Sequence, residues 1–468
     1  MSGKTAVNTD RRNKYFFGLG TIGRDMFYTM ESMFLTYYFT EIMDLPDGTV
    51  IALTVVLTVL RIFDAFNDPL MGVIVDNTRS RFGKFKPGML IGGVIGGVLL
   101  VLMFTDMGLS GAAFIIIYAL IYLGWDIFYG LNDIAYWSML PALSTDQKKR
   151  EEIGSFARIC ANVGMFAVVV GITGATGALG KALGNEKKGW FVFALLVAVL
   201  MMAFMLFTLF GVKENRGYFK QEEKTTLREM FKVLFKNDQL MWVALSMALF
   251  MIGYTTTANF GKHFFKYAYG NEDMYSIFAL VLGVSQLFAL AIFPKISKKM
   301  SRKKLYSFAT ILVGAGYILF FFAPMQIVVI GIAGVLLFIG EAFIQILMLM
   351  FLADTIEYGQ LKMGKRNESV TFSVQPFINK IGSALSNGVV GVTVVIAGIN
   401  EAKTVEEVTP SGIVTMKSAM LLLPLVFIGL GYFIYLKKFK IDEKKYAQIL
   451  DELKARGDIA STTDSVVQ

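Results

Sequence analysis

Cysteine and histidine are almost missing: Cys160 and His263 stand alone in 468 residues. One thiol permits no intrachain disulfide, and one imidazole excludes a histidine-rich metal site and most histidine-based triads. Proline is scarce at 9 residues while glycine reaches 45, a balance that suits long, closely packed helices. Charge is thin too, at 17% of residues against about 25% in soluble domains, with 55% hydrophobic. These shortages argue against a soluble enzyme and leave carboxylates, Arg, Lys and aromatic rings to do any chemistry. The apolar stretch after the polar first fourteen residues carries Arg24, Asp25 and Glu31 and no small-residue cleavage site, so it reads as an uncleaved first helix.

Long apolar runs are present in abundance. They lie at about 15–42, 50–75, 88–106, 111–138, 153–179, 189–212, 238–266, 274–296, 303–323, 326–353, 369–398 and 413–436, each long enough to cross a ~30 Å hydrocarbon core. The expected fold is an all-α membrane protein of twelve transmembrane helices in two six-helix bundles. Connections after even-numbered runs are basic: Arg79, Arg81, Lys84 and Lys86; Lys148, Lys149 and Arg150; Lys295, Lys298, Lys299 and Arg302; Lys362, Lys365 and Arg366. Lys181, Lys187 and Lys188 break the pattern. By the positive-inside rule the even connections and both termini are cytoplasmic in a cell membrane. The net charge of +9 is then a matter of topology, and no nucleic-acid partner is expected.

The domain reading is residues 1–212 as the first bundle, 213–237 as a cytoplasmic middle loop, 238–436 as the second bundle and 437–468 as a cytoplasmic tail. In the loop, Thr226 and Glu229 have capping-box spacing, and Leu227, Met230, Phe231 and Leu234 share a helical face. Tyr446, Ile449, Leu450 and Leu453 repeat that face in the tail. Both suit helices on the inner leaflet or a latch between halves. The endings of runs 1 and 7, Phe34 to Phe39 and Lys262 to Tyr267, hint at an internal repeat of parallel orientation. His263 reads as an interfacial side chain.

Ionisable groups inside such runs are costly, about 2.5–3.5 kcal/mol each, and mark substrate or ion pathways. In the second run Asp64 and Asp68 are four apart, with Arg61 one turn earlier and Asn67 adjacent, so one helical face gathers oxygen donors suited to a small cation. The structural alternative is an Arg61–Asp64 pair with Asp68 capping the helix near Pro69. In the fourth run Tyr129, Asp133 and Trp137 follow at four-residue steps beside Asn132, a carboxylate among aromatic faces that suits a sugar. Arg158 and Lys380 are isolated bases, and Asp25 an isolated acid whose expected partner is Arg158. Asp25, Asp64, Asp68 and Asp133 against Arg61, Arg158 and Lys380 leave one surplus negative charge; adding Arg24, Glu31, Asp126 and Glu341 leaves three. Either way the empty site favours a cation.

The run Asp64-Ala65-Phe66-Asn67-Asp68-Pro69-Leu70-Met71-Gly72, followed by Asp76-Asn77-Thr78-Arg79-Ser80-Arg81-Phe82-Gly83-Lys84-Phe85-Lys86-Pro87, resembles the signature of the glycoside–pentoside–hexuronide:cation symporters of the major facilitator superfamily. Arg24-Asp25, the segment from Tyr129 to Pro141, Arg158-Ile159-Cys160-Ala161, Lys236 to Leu240, Asp354 to Gly359 and Glu368 to Ser383 extend the resemblance over nearly the whole chain. It implies that Asp25 and Arg158 hold the sugar hydroxyls, with Asp133 and Tyr129 assisting and Trp137 stacking on the ring. It implies a cation, Na+ or H+, at Asp64, Asn67 and Asp68, with Asp64 and Asp68 as the sodium ligands. Asp133 would join the two sites and Lys380 would reach toward the second helix, while Asp76, Arg79, Arg81 and Lys84 would form a cytoplasmic gating loop. No cofactor beyond the coupling cation is implied, and the partners are a sugar, a monovalent cation and the bilayer. Gly130 and Pro376 stand where the family pattern has side-chain oxygens, which weakens sodium, whereas Asn67 speaks for it. The expected function is symport of a glycoside such as an α-galactoside by alternating access. A hexuronide or pentoside symporter and a sodium-coupled lipid transporter are the alternatives. An enzyme lacks a catalytic constellation here, and a channel lacks filter rings.

Overall fold

The computed structural model describes residues 2–43, 45–144, 146–213, 235–271, 274–399 and 407–458. Among these there is no strand. The helices are α1 (Ser2–Tyr37), α2 (Asp47–Asn77), α3 (Lys86–Met103), α4 (Gly111–Leu143), α5 (Gln147–Leu183), α6 (Glu186–Leu206), α7 (Asp238–His263), α8 (Met274–Ser297), α9 (Arg302–Phe322), α10 (Ile327–Met363), α11 (Glu368–Ile396), α12 (Pro410–Lys417), α13 (Leu423–Lys438) and α14 (Glu443–Ala455). One π turn, Ser418–Leu422, joins α12 and α13 into a single span. Nine of these spans are long and apolar enough by composition to cross a membrane. The other three long helices, α1, α2 and α11, are those that carry Asp25, Asp68 and Lys380. Together they give the twelve helices expected. The proposed middle-loop helix falls at 226–234, outside the described residues.

Two compact units are present. The N-terminal unit is Met1–Phe231 with Asn367–Ser373 and Lys454–Gln468, and the C-terminal unit is Lys232–Arg366 with Val374–Leu453. The first turn of α11 belongs to the former because buried Asp76 accepts the main-chain N–H of Ser369 at 3.1 Å and of Val370 at 3.0 Å. A carboxylate at a helix N-terminus meets both orphan donors and the positive end of the helix dipole.

In the N-terminal unit α1 packs on α5 and α6, α3 on α4, and α2 on α4. Glycine sets how closely: a Cβ on Gly23 would lie 2.6 Å from the Met201 Cα, so α1 and α6 touch backbone to backbone there. Helix α1 starts well before residue 15. Just before residue 15 it is tied to the segment that follows α6, where Arg12 donates to the Gly211 carbonyl at 2.7 Å and Asn13 exchanges hydrogen bonds with Lys213 at 3.1 and 2.9 Å. In the C-terminal unit α9 packs on α10, α8 on α10 and α7 on α13. Helix α10 runs past residue 353 because the groups beyond it are paired: Asp354 with Arg302, and Glu357 with Arg366 at 3.3 Å. The tail face, which suits either the inner leaflet or a latch, is covered by protein, with Tyr446, Ile449 and Leu453 buried and Glu443 accepting from the Arg302 N–H at 2.7 Å.

Candidate functional site

Two half-buried carboxylates bridged by one buried guanidinium form the centre of the N-terminal unit. Arg24 of α1 contacts Asp25 at 2.9 Å through Nη2 and Asp133 of α4 through Nη1. Thr21, one turn back, donates to Asp25 Oδ2 at 2.6 Å and accepts from Arg24 at 3.1 Å. Arg24 is 5% exposed, whereas Asp25 and Asp133 are 22% and 21% exposed, so the base is fixed behind while carboxylate oxygen faces outward. Such an arrangement accepts hydroxyl hydrogens without paying anew for desolvation of the acids.

The expected partner of Asp25 was Arg158, and this is corrected. Among the described residues Arg158 makes no ion pair within 4 Å; its guanidinium lies 4.4 Å over the ring of Trp137, and its Nε has no hydrogen-bond partner. Arg24 replaces it because a side chain of that length can bend from its own helix to both acids. Neighbouring helix positions do not share a face, which is why residue spacing left Arg24 in an uncertain place. Trp137 is buried, with Arg24 5.2 Å from its centroid as well. Two cations thus hold the indole from which ring stacking was expected. The accessible aromatic surface is at Tyr129, partly exposed and parallel to Trp125 at 5.0 Å, and at Tyr28, exposed and stacked on Tyr129 at 5.4 Å. Tyr28 stands one turn from Asp25, and the sequence signal that could have found it is this i, i+3 step.

Asn67 and Asp68 are buried on α2, 3% and 1% exposed. The helix continues through Pro69 to Asn77, so Asp68 is not a helix cap. The side chains of Arg61 and Asp64 lie outside the described residues. Helix α4 faces this pair with Gly130, where a Cβ would lie 3.6 Å from Asp68 Oδ1 and 3.8 Å from Asn67 Nδ2. The same helix carries Asp133 three residues on, so α4 is the shared wall of both clusters. Asn132 beside it is structural, donating to the Met89 carbonyl at 2.6 Å.

On the loop after α2, Lys84 bridges Asp76 at 3.0 Å and Glu368 at 3.4 Å, Arg79 donates to the Asp76 carbonyl at 2.8 Å, and Arg81 lies 4.8 Å over Phe82. Lys380 stands partly buried on α11 in the C-terminal unit.

The family model described as MFS/sugar transport protein matches residues 16–443. The chain is 34% identical over 452 residues to the lactose permease of Lactobacillus delbrueckii subsp. bulgaricus, covering 94% of this chain and 72% of that one. It is 31% identical to the raffinose carrier protein of Pediococcus pentosaceus, covering 97% and 74%. Among solved structures, the Escherichia coli fucose:proton symporter superposes with a TM-score of 0.63 at 11% identity, covering 91% of this chain and 99% of that one, a likeness of fold.

Proposed function

The chain belongs to the glycoside–pentoside–hexuronide symporters of the major facilitator superfamily, and from that premise we propose that it moves a neutral glycoside or oligosaccharide inward together with a monovalent cation. A sugar symporter of this superfamily is a multi-pass membrane transporter and not an enzyme. The observation that carries the finer reading is the Asp25–Arg24–Asp133 bridge: two part-exposed carboxylates, already neutralised in part by a buried base, beside aromatic faces. Sugar hydroxyls would donate to these acids, and the apolar face of the ring would pack on Tyr28 and Tyr129. Asn67 and Asp68, with Asp64 on the same helix, would take the cation, and Asp133 would relate the two through α4. With Arg24 and Arg158 set against Asp25 and Asp133, the sugar cluster is balanced, and the charge that attracts the ion is concentrated on α2.

One observation favours a second substrate class. Arg158 is a base outside any ion pair among the described residues, and a hexuronide carboxylate would pair with it. Uptake of labelled lactose, raffinose and a glucuronide into cells, with a sodium ionophore or a protonophore added, separates these. Accumulation of a neutral sugar that collapses with one ionophore supports the proposal. Uptake insensitive to both overturns cation coupling, and uptake of the glucuronide alone selects the second class.

The site also bears on which cation is used. Gly130→Thr is expected to tighten apparent sodium affinity about tenfold, equal to one added oxygen contact of about 1.4 kcal/mol, and to reduce the pH dependence of uptake. Sodium titrations of uptake at two pH values check it; a uniform loss of rate with every cation means that the β-branched side chain only crowds α2.

A further inference from the structure

The C-terminal unit buries a carboxyl that the reading above does not use. Glu341 lies within α10, 1% exposed. Among the described residues no Lys, Arg or His comes within ion-pair distance of it. The groups linked to it are neutral: Tyr317 from α9, itself in contact with Thr257 of α7, and Tyr254 from α7, itself hydrogen-bonded to Gln286 of α8 and Gln345 of α10. Tyr275 also faces Tyr254 from α8.

Hydroxyl groups make the contacts on the α9 side of this carboxyl, and the Met420 carbonyl in the π turn takes a side-chain donor there. Thr257 supplies one at 2.9 Å, and its other carbonyl contact, Gly253 at 3.4 Å, draws on the same single hydrogen. Thr257 and Tyr317 meet at 2.8 Å, a contact in which either hydroxyl can donate. Tyr317 donates to Glu341 Oε1 at 3.4 Å. Beyond it, Glu341 Oε2 and Gln286 Nε2 are both buried without a hydrogen-bond partner.

We propose that Glu341 is a proton-binding site of the C-terminal unit, its acid hydrogen carried on the buried Oε2. Losing that proton strands an unpaired carboxylate in a site with no base, which the surroundings tolerate only after rearranging. Proton release is thereby linked to conformation. Only this last step rests on the transport reading; the protonation state does not.

The test is infrared difference spectroscopy of the full chain in lipid vesicles as the pH is stepped. Wild type is expected to show a carboxylic-acid carbonyl band at neutral pH that is lost in Glu341→Gln. In Tyr317→Phe the band is kept but moved to higher frequency, because the carbonyl oxygen Oε1 loses its donor. A wild type without such a band, a band unchanged in Glu341→Gln, or a band unmoved in Tyr317→Phe overturns the assignment. These readouts need no sugar, so failure of the glycoside proposal leaves them intact. A band that behaves as expected while sugar binding shows no pH dependence in wild type rejects the link to transport.

Discussion

Asp25→Asn is expected to weaken sugar binding roughly a hundredfold or more while leaving the cation response within about threefold. The carboxylate accepts from Thr21 at 2.6 Å and from Arg24 at 2.9 Å, and it remains 22% exposed for a ligand. An amide keeps the shape but removes the charge, turning charge-assisted bonds, worth about 1.5–3 kcal/mol each, into neutral ones of about 1 kcal/mol. It also leaves Arg24 with Asp133 alone, so the guanidinium is drawn toward α4 and the acceptor left for sugar is pulled with it. Two weakened bonds account for the hundredfold. The cation site should be spared, because its side chains come from α2 and its facing wall is Gly130. Calorimetric titration with sugar measures the loss. Sodium-induced fluorescence of Trp125, which stacks on Tyr129, measures what is kept. Disappearance of both responses together would reject separate sugar and cation clusters.

The parts of the fold written in hydrophobic periodicity were legible, and the parts written in side-chain reach were not. Long apolar runs located every span, because a bilayer imposes length and composition together. Their ends were less visible. Helix α1 extends through polar residues because Arg12 and Asn13 find main-chain partners at Gly211 and Lys213, just past α6, and α10 extends because Arg302 and Arg366 neutralise Asp354 and Glu357. Neither partnership has a spacing signature. Arg24 is the same lesson at the site: adjacent to Asp25 on a helix, it gave no facial pattern, yet it lies between the two acids that spacing did pick out. The tail helix showed the converse. Its apolar face was plain in the sequence, but periodicity cannot tell lipid from protein as the cover, and Tyr446, Ile449 and Leu453 meet protein.

Asp68→Asn is expected to abolish the effect of cation on sugar binding, taking the ratio of sugar affinities with and without salt from the range of about 5–150 common for coupled sites to about one. Asp68 is 1% exposed on a helix that passes straight through Pro69, so it is neither a surface charge nor a cap. A buried acid at membrane depth that serves neither role marks an ion or substrate pathway. Asparagine preserves volume in this tight position, so the change tests charge and not packing. It removes one formal negative charge from α2, and with the Asp25, Asp133, Arg24 and Arg158 cluster already balanced, that is the charge holding the ion. Sugar should still bind at the affinity that wild type shows without cation, because its acceptors are on α1 and α4. Downhill sugar entry should continue and accumulation against a gradient should stop. Titration of sugar with and without sodium, and again at two pH values, decides the matter. If Asp68→Asn retains a wild-type salt effect, Asp68 is a structural acid, and the coupling ion must be sought elsewhere.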